Sequence, residues 1–315
     1  MSIATPVVKW LMKLAPAEPP AVDDPRFSQV FSHDSYVNGT DESREAVRAK
    51  HSQYRFDYER DIGMFEHFFP DFPLDTLEGS RFLDLGCLTG GRTAAWSERY
   101  GFEHAVGFDI DKEYVRAADE FARSRDDNSD FVVSVGEAMP LRDGSFDVVA
   151  TYDVIEHVAD FRQVFDEAHR VLRPGGLFFV VFPTYFQPLA SHLQLVTNVR
   201  GLLNVFPGDV VAQAYYEVLD ERGEDHAWYN LDSPELPGYY KSPFLNGITV
   251  RAFRDIAESP DWSIRHWPRR PIFTVGRRAQ HPAFKALATG LKPFAKVPVL
   301  EEVFLTNVTC VLERT

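Results

Sequence analysis

Arg81-Phe82-Leu83-Asp84-Leu85-Gly86-Cys87-Leu88-Thr89-Gly90 is the stretch that decides the fold. Phe82, Leu83 and Leu85 read as a buried strand that runs into a glycine-bearing turn. Gly86 and Gly90 let the backbone bend tightly and approach a ligand. After a helix, the next apolar run, Ala105-Val106-Gly107-Phe108, closes on Asp109. A carboxylate at the end of that second strand can accept both hydroxyls of a ribose. Strand, turn, helix and acid together ask for a nucleoside ligand across the carboxyl ends of a parallel sheet.

The spacing separates the candidate nucleosides. A dinucleotide site wants G-x-G-x-x-G, so that helix-start amides hold a pyrophosphate. Here Cys87, Leu88 and Thr89 separate Gly86 from Gly90, which argues against a nicotinamide-dependent dehydrogenase. Gly91-Arg92-Thr93 likewise lacks the lysine and glycine spacing of a phosphate loop. Asp84 repels a phosphate but suits the cationic amino-acid portion of S-adenosylmethionine. From Asp84 to Gly90 the chain resembles the first motif, D-x-G-x-x-x-G, of the class I S-adenosylmethionine-dependent methyltransferases.

The resemblance continues in order along the chain. Val148 to Val158, with Asp153, Glu156 and His157, is similar to the family's fourth-strand segment and is introduced by Asp143-Gly144-Ser145-Phe146-Asp147. Arg170-Val171-Leu172-Arg173-Pro174-Gly175-Gly176-Leu177 is similar to its turn into the fifth strand. The match is closest to the branch holding ubiquinone-pathway and small-molecule O-methyltransferases. It implies S-adenosyl-L-methionine as cofactor. The positions carried over are Asp84, Gly86, Cys87, Thr89 and Gly90 in the turn, Asp109 and Ile110 at the ribose, Glu137 and Ala138 at the adenine, and Tyr152 ending the fourth strand. Two departures matter. Leu88 stands where many relatives have a third glycine, so the turn is expected to adopt a conformation tolerant of a side chain. Val135 falls where an aspartate is frequent, which leaves adenine to backbone groups of Glu137 and Ala138 and to the Glu137 carboxylate.

Methyl transfer to a neutral hydroxyl needs alignment and a base. The resemblance places His157 facing the methyl, and imidazole suits proton removal near neutrality. The plainer reading has His157 bracing the strand end. His192, in Ser191-His192-Leu193, is a second catalytic candidate from the cap side. Asp153, Glu156 and His157 also resemble a divalent-metal cluster, though a polar strand end explains them as well, and no metal site is assigned. The function these readings support is O-methylation of a small or lipid-linked metabolite. N- or C-methylation and a non-catalytic cofactor-binding assembly partner stand as alternatives.

The pattern along the chain gives the architecture. Strands at 81–85, 104–109, 130–134, 146–152 and 176–183 alternate with helices, which implies a doubly wound α/β fold with right-handed crossovers. Asp160 is expected to cap a helix at 161–172, with Gln163 returning a reciprocal bond. Strand-like runs also occur at 262–267, 271–276 and 303–313, and the family resemblance completes a mostly parallel seven-stranded Rossmann-like sheet with the last pair as its antiparallel edge and a cap inserted after the fifth strand. The domains expected are an N-terminal arm at 1–50, a cofactor-binding core at 51–183, a cap at 184–246, and a helix with edge strands at 247–315. A helical, aromatic run from His51 to Phe69 offers Tyr54, Arg55 or Tyr58 to the methionine carboxylate, or else a surface face. Val7 to Met12, with Trp10 and Lys9, either lies on a membrane surface or packs on its own domain. The cap is rich in rings, among them Tyr185, Tyr215, Trp228, Tyr239 and Tyr240, and is expected to line an apolar acceptor pocket. Burial against the sheet as core, or a homodimer contact, is the alternative.

Composition sets the outer limits. The 315 residues are 44% hydrophobic, enough for a large core. A formal charge of −14 disfavours nucleic acid. Cys87 and Cys310 make no disulfide framework. Met1-Ser2-Ile3-Ala4 lacks a secretory lead, and no apolar run suits a transmembrane segment. A cytoplasmic enzyme with a small-molecule acceptor is the expectation.

Overall fold

The computed structural model describes residues 4–17, 41–189, 193, 196–222, 245–274 and 281–315. They fall into two compact units. One is built from Gly39–Phe182, Phe253–Pro268 and Thr309–Thr315, and the other from Met1–Asn38, Pro183–Ala252 and Arg269–Val308.

The first unit carries the sheet. Its strands are β1 (Arg81–Leu85), β2 (His104–Asp109), β3 (Ser129–Val133), β4 (Phe146–Tyr152), β5 (Leu172–Phe182), β6 (Trp262–His266) and β7 (Val308–Arg314), in the order β3-β2-β1-β4-β5-β7-β6. β1 pairs in parallel with β2 and β4, β2 with β3, and β4 with β5. β6 runs antiparallel to β7. The strand order reverses at β1, and Leu85 is in register with both Phe108 and Thr151. That reversal opens a crevice at the carboxyl ends of β1, β2 and β4, where open α/β sheets bind ligands. The mostly parallel, seven-stranded, doubly wound fold is as expected.

The antiparallel edge is not. It is formed by Trp262–His266, the first of the three strand-like runs, and Val308–Arg314, which lies largely within 303–313, so that 271–276 is the run misassigned to it. Pro271 has no amide to give a ladder and makes one isolated bridge to Leu305. Glu301–Phe304 coils into a short helix. Residues 275 and 276 lie outside the described residues.

Helices cover the sheet. The run expected from His51 to Phe69 is two helices, Asp41–Ile62 and Met64–Phe68, separated at Gly63 with φ 63°. A left-handed residue ends a helix, and glycine takes that conformation without a Cβ clash. Phe65 meets Trp96 edge-on at 4.4 Å, and Phe82 stacks on Phe102 at 4.3 Å. Asp160 caps the Phe161–Val171 helix by accepting from the Arg162 and Gln163 amides. The return bond expected from Gln163 is replaced, because the Asp160 amide donates to Glu137 Oε1 at 3.0 Å.

The second unit has its own core. The Ala4–Leu14 helix sets Val8 and Met12 among Val211, Tyr215 and Leu219 of the Gly208–Arg222 helix. Lys9 lies 2.9 Å from Glu217 and 2.7 Å from Glu221, and Lys13 also pairs with Glu221. Packing on its own unit is therefore what Val8, Met12 and the two lysines do. Tyr215 is fully buried in this unit's own core rather than lining an open pocket. Trp228, Tyr229, Tyr239 and Tyr240 lie outside the described residues. A further helix, Val250–Ala257, begins in this unit, where the Val250 and Arg251 amides both donate to the Glu302 carboxylate at 2.9 Å. Among the described residues no helix is long and apolar enough to cross a membrane.

Candidate active site

The turn after β1 is held in place by three left-handed residues, Gly86 (φ 78°), Leu88 (φ 49°) and Gly90 (φ 73°). A Cβ on Gly86 would stand 2.3 Å from Val154 Cγ2, so only glycine lets the fourth-strand segment close on the turn. One on Gly90 would stand 2.6 Å from Ala118 Cβ. Leu88 corrects the expectation drawn from its side chain. The turn keeps the backbone a glycine would adopt, at roughly 1–2 kcal/mol of strain for an L-residue.

Asp84 is fully buried, and both carboxylate oxygens are engaged. Oδ2 accepts from Thr93 Oγ1 at 2.7 Å, and Oδ1 faces Arg92 Nη2 at 3.3 Å. The same guanidinium donates to the Gly86 carbonyl at 3.0 Å and lies over the rings of Trp96 and Tyr152 at 5.0 and 5.2 Å. Asp84 therefore anchors the turn through Arg92. A buried ion pair of this kind is costly to break, because either partner alone leaves an unpaired charge. Arg92 and Thr93 were not singled out in the sequence, although their position on the first turn of a helix opposite a strand-end acid is a usable signal.

Thr89 and Cys87 face inward. Burial, with help from the Arg55 and Arg92 charges, lowers the His51 imidazole to about 3, so the ring is neutral. Its Nε2 accepts from Arg55 Nε at 3.4 Å, which leaves the proton on Nδ1, 2.8 Å from Thr89 Oγ1. Cys87 is buried, and burial pushes its thiol well above the ordinary range. Tyr54 and Tyr58 pack on one another at 5.8 Å.

Asp109 ends β2 beside this turn. Its Oδ2 accepts the Leu88 amide and its Oδ1 the Asp111 amide, each at 3.0 Å. Each oxygen keeps lone-pair capacity for a further donor. Burial raises the carboxyl to about 6, against the two amide bonds that favour its ionised form. Ile110 follows, half-buried.

On the adenine side, Ala138 is exposed and Glu137 half-buried. Glu137 Oε1 accepts the Ala159 and Asp160 amides at 2.8 and 3.0 Å. The carboxylate thus joins this loop to the start of the Phe161–Val171 helix. Arg170 fastens the other end, donating to the Met139 and Leu141 carbonyls at 2.9 and 2.7 Å.

The fourth-strand segment brings Tyr152 to the Arg92 guanidinium and His157 to half-burial. Glu156 is buried, with His157 Nε2 3.7 Å from its Oε1. Asp153 is exposed at φ 54°. Among the described residues no group of three His, Cys, Asp or Glu could hold a metal ion. His192 lies outside the described residues.

Residues 83–180 match the methyltransferase domain family. The chain is 31% identical over 179 residues to a ubiquinone biosynthesis O-methyltransferase of Parvibaculum lavamentivorans, covering 57% of this chain and 69% of that one. It is 27% identical over 201 residues to a sterol 24-C-methyltransferase of Schizosaccharomyces pombe, covering 61% of this chain and 52% of that protein. The chain thus spans about half the length of the sterol enzyme and about two thirds of the ubiquinone enzyme. A solved S-adenosylmethionine-dependent methyltransferase of Mesorhizobium loti is similar at a TM-score of 0.47 and 17% identity, covering 79% of this chain and 96% of that one. The chain belongs to the class I S-adenosylmethionine-dependent methyltransferases.

Proposed function

We propose that the protein transfers a methyl group to a hydroxyl oxygen of a small or lipid-linked metabolite. The observation that carries the reading is the pairing of the Gly86–Gly90 turn with Asp109 at the strand reversal. When bound, S-adenosylmethionine supplies an electrophilic methyl on a sulfonium. The residues present fit it. Asp109 has lone pairs left for two ribose hydroxyls, and the glycines at 86 and 90 keep side chains out of the turn. Ile110, Ala138 and Tyr152 are the further contacts we assign to it, with Thr89 and Cys87 shaping the turn beneath. Asp84 acts through Arg92, holding the turn rather than offering a free oxygen.

The His157 imidazole takes the acceptor proton in this scheme, and a base so positioned is worth roughly 10²–10⁴-fold in rate. Hydroxyl as acceptor is supported by the O-methyltransferase relative at 31% identity. Methylation at carbon is the second reading, favoured by the sterol 24-C-methyltransferase relative.

Transfer of a labelled methyl group to a panel of hydroxyl-bearing metabolites, with the product bond identified by mass spectrometry, tests this. An O-methyl product is expected. His157→Ala should lower turnover about 10²–10⁴-fold while leaving affinity for S-adenosylhomocysteine nearly intact. A C-methyl product establishes the second reading. Unchanged turnover in the variant removes His157 from its role.

A further inference from the structure

We propose that the Pro282–Val299 segment of the second unit docks this protein on an anionic lipid bilayer surface. The first observation is charge. Residues 262–300 contain eight of the chain's 33 Lys and Arg and none of its 47 Asp and Glu. In a protein of net charge −14, so long an acid-free run is a local reversal of sign.

The second observation is an inverted burial pattern. Between Pro282 and Val299 the buried side chains are small, Ala288 and Ala295. Phe284 and Leu291 are half-buried, and the other large apolar ones face out, with Leu287 46%, Phe294 44%, Val297 43% and Val299 78% exposed. Leaving such side chains in water forgoes the burial that normally holds a segment in place. Lys285, Lys292 and Lys296 are exposed among them, and none has an ion pair among the described residues. The helix Pro282–Leu291 and the 3-10 turn Phe294–Lys296 are too short to enter a bilayer as a span. Lying flat, they can place apolar side chains at the acyl boundary and ammonium groups among the headgroups.

Comparison with the first helix sharpens the assignment. Val7, Trp10 and Leu14 are also exposed, but Lys9 and Lys13 there are neutralised by Glu217 and Glu221. Among the described residues, the Pro282–Val299 segment joins exposed apolar groups to positive charge that no ion pair offsets. A nucleic acid would account for the lysines and give Phe294 and Val299 nothing to do. The acidic remainder of the chain is repelled by an anionic surface, which favours approach by this segment.

The full chain should co-sediment with vesicles of equal parts phosphatidylcholine and phosphatidylglycerol, and far less with phosphatidylcholine alone. The triple variant Lys285→Gln, Lys292→Gln, Lys296→Gln should bind the mixed vesicles at least about tenfold more weakly. Phe294→Ser with Val299→Ser should also weaken binding while retaining its salt dependence. All these positions are exposed, and unchanged far-ultraviolet circular dichroism checks that the variants fold. No binding to the mixed vesicles overturns the proposal, as does binding that both variants leave unaltered. So does affinity for a DNA duplex in the absence of vesicle binding. None of these readouts depends on which atom the protein methylates.

Discussion

Leu88 donates its backbone amide to Asp109 Oδ2 at 3.0 Å while holding a left-handed φ of 49°. One strained residue thus aims the carboxylate assigned to the ribose. The strain has a direct test. A β-branched residue tolerates this conformation worst and glycine best. Leu88→Gly should remain within about 1 kcal/mol of the parent, with lost side-chain burial offset by relief of strain. Leu88→Val should lie at least about 1 kcal/mol below the glycine variant. Urea unfolding of the two variants checks the order, and equal midpoints would show that position 88 is unstrained.

Gly91 is fixed by contact rather than by φ. A Cβ there would stand 1.9 Å from the Ser52 carbonyl oxygen and 2.9 Å from the Phe56 nitrogen, so the Asp41–Ile62 helix rests directly on this backbone. Gly91→Ala must push two helices apart and should cost at least about 1–3 kcal/mol. Because the turn sits on the same helix start, affinity for S-adenosylhomocysteine should fall with it. A variant that unfolds at the parent's denaturant concentration speaks against this packing.

Glu156 gives a pH signature. Neither of its buried carboxylate oxygens has a hydrogen-bond partner among the described residues. Burial pushes the group well above its ordinary 4.5, and the nearby Asp153 charge adds to the shift. The folded state therefore keeps a proton that the unfolded chain releases. Stability from this source is full below about 4.5 and declines as the pH rises above it. Glu156→Gln removes that decline. The variant should exceed the parent by at least about 1 kcal/mol at pH 8, and the gap should narrow toward pH 5. Denaturation curves at the two pH values decide, and a gap that widens on acidification has the wrong sign for a buried neutral carboxyl.

Much of this was legible in the sequence, and the exceptions have physical causes. The parallel strands announce themselves because both faces are buried and their residues run apolar without interruption, as in Val148-Val149-Ala150. Asp109 was legible because it ends such a run. The partners of Asp84 were not, since Arg92 and Thr93 reach it only after the helix folds back over the strand. Of the three strand-like runs after the cap, 271–276 is the one that fails as an edge, because Pro271-Ile272-Phe273 has no amide at its head, whereas Trp262-Ser263-Ile264 has one at every position. Glu137 illustrates a third limit. Its acidity suggested an adenine contact, but one oxygen is taken up by two helix-start amides that follow it by more than twenty residues.

The central claim is that Asp109 and the Gly86–Gly90 turn form a site for S-adenosylmethionine. Calorimetric titration with S-adenosylhomocysteine at neutral pH tests it most directly, with NAD as the control ligand and Asp109→Ala as the control protein. The parent should bind S-adenosylhomocysteine and not NAD. Losing a charge-assisted contact typically costs on the order of 1.5–3 kcal/mol, so the variant should bind at least about tenfold more weakly. Since the carboxyl titrates at about 6 and hydroxyl donors favour its ionised form, the parent's affinity should also weaken as the pH falls below that value. The variant should lose that dependence. Absence of binding by the parent, or an unchanged dissociation constant in a folded Asp109→Ala protein, contradicts the assignment.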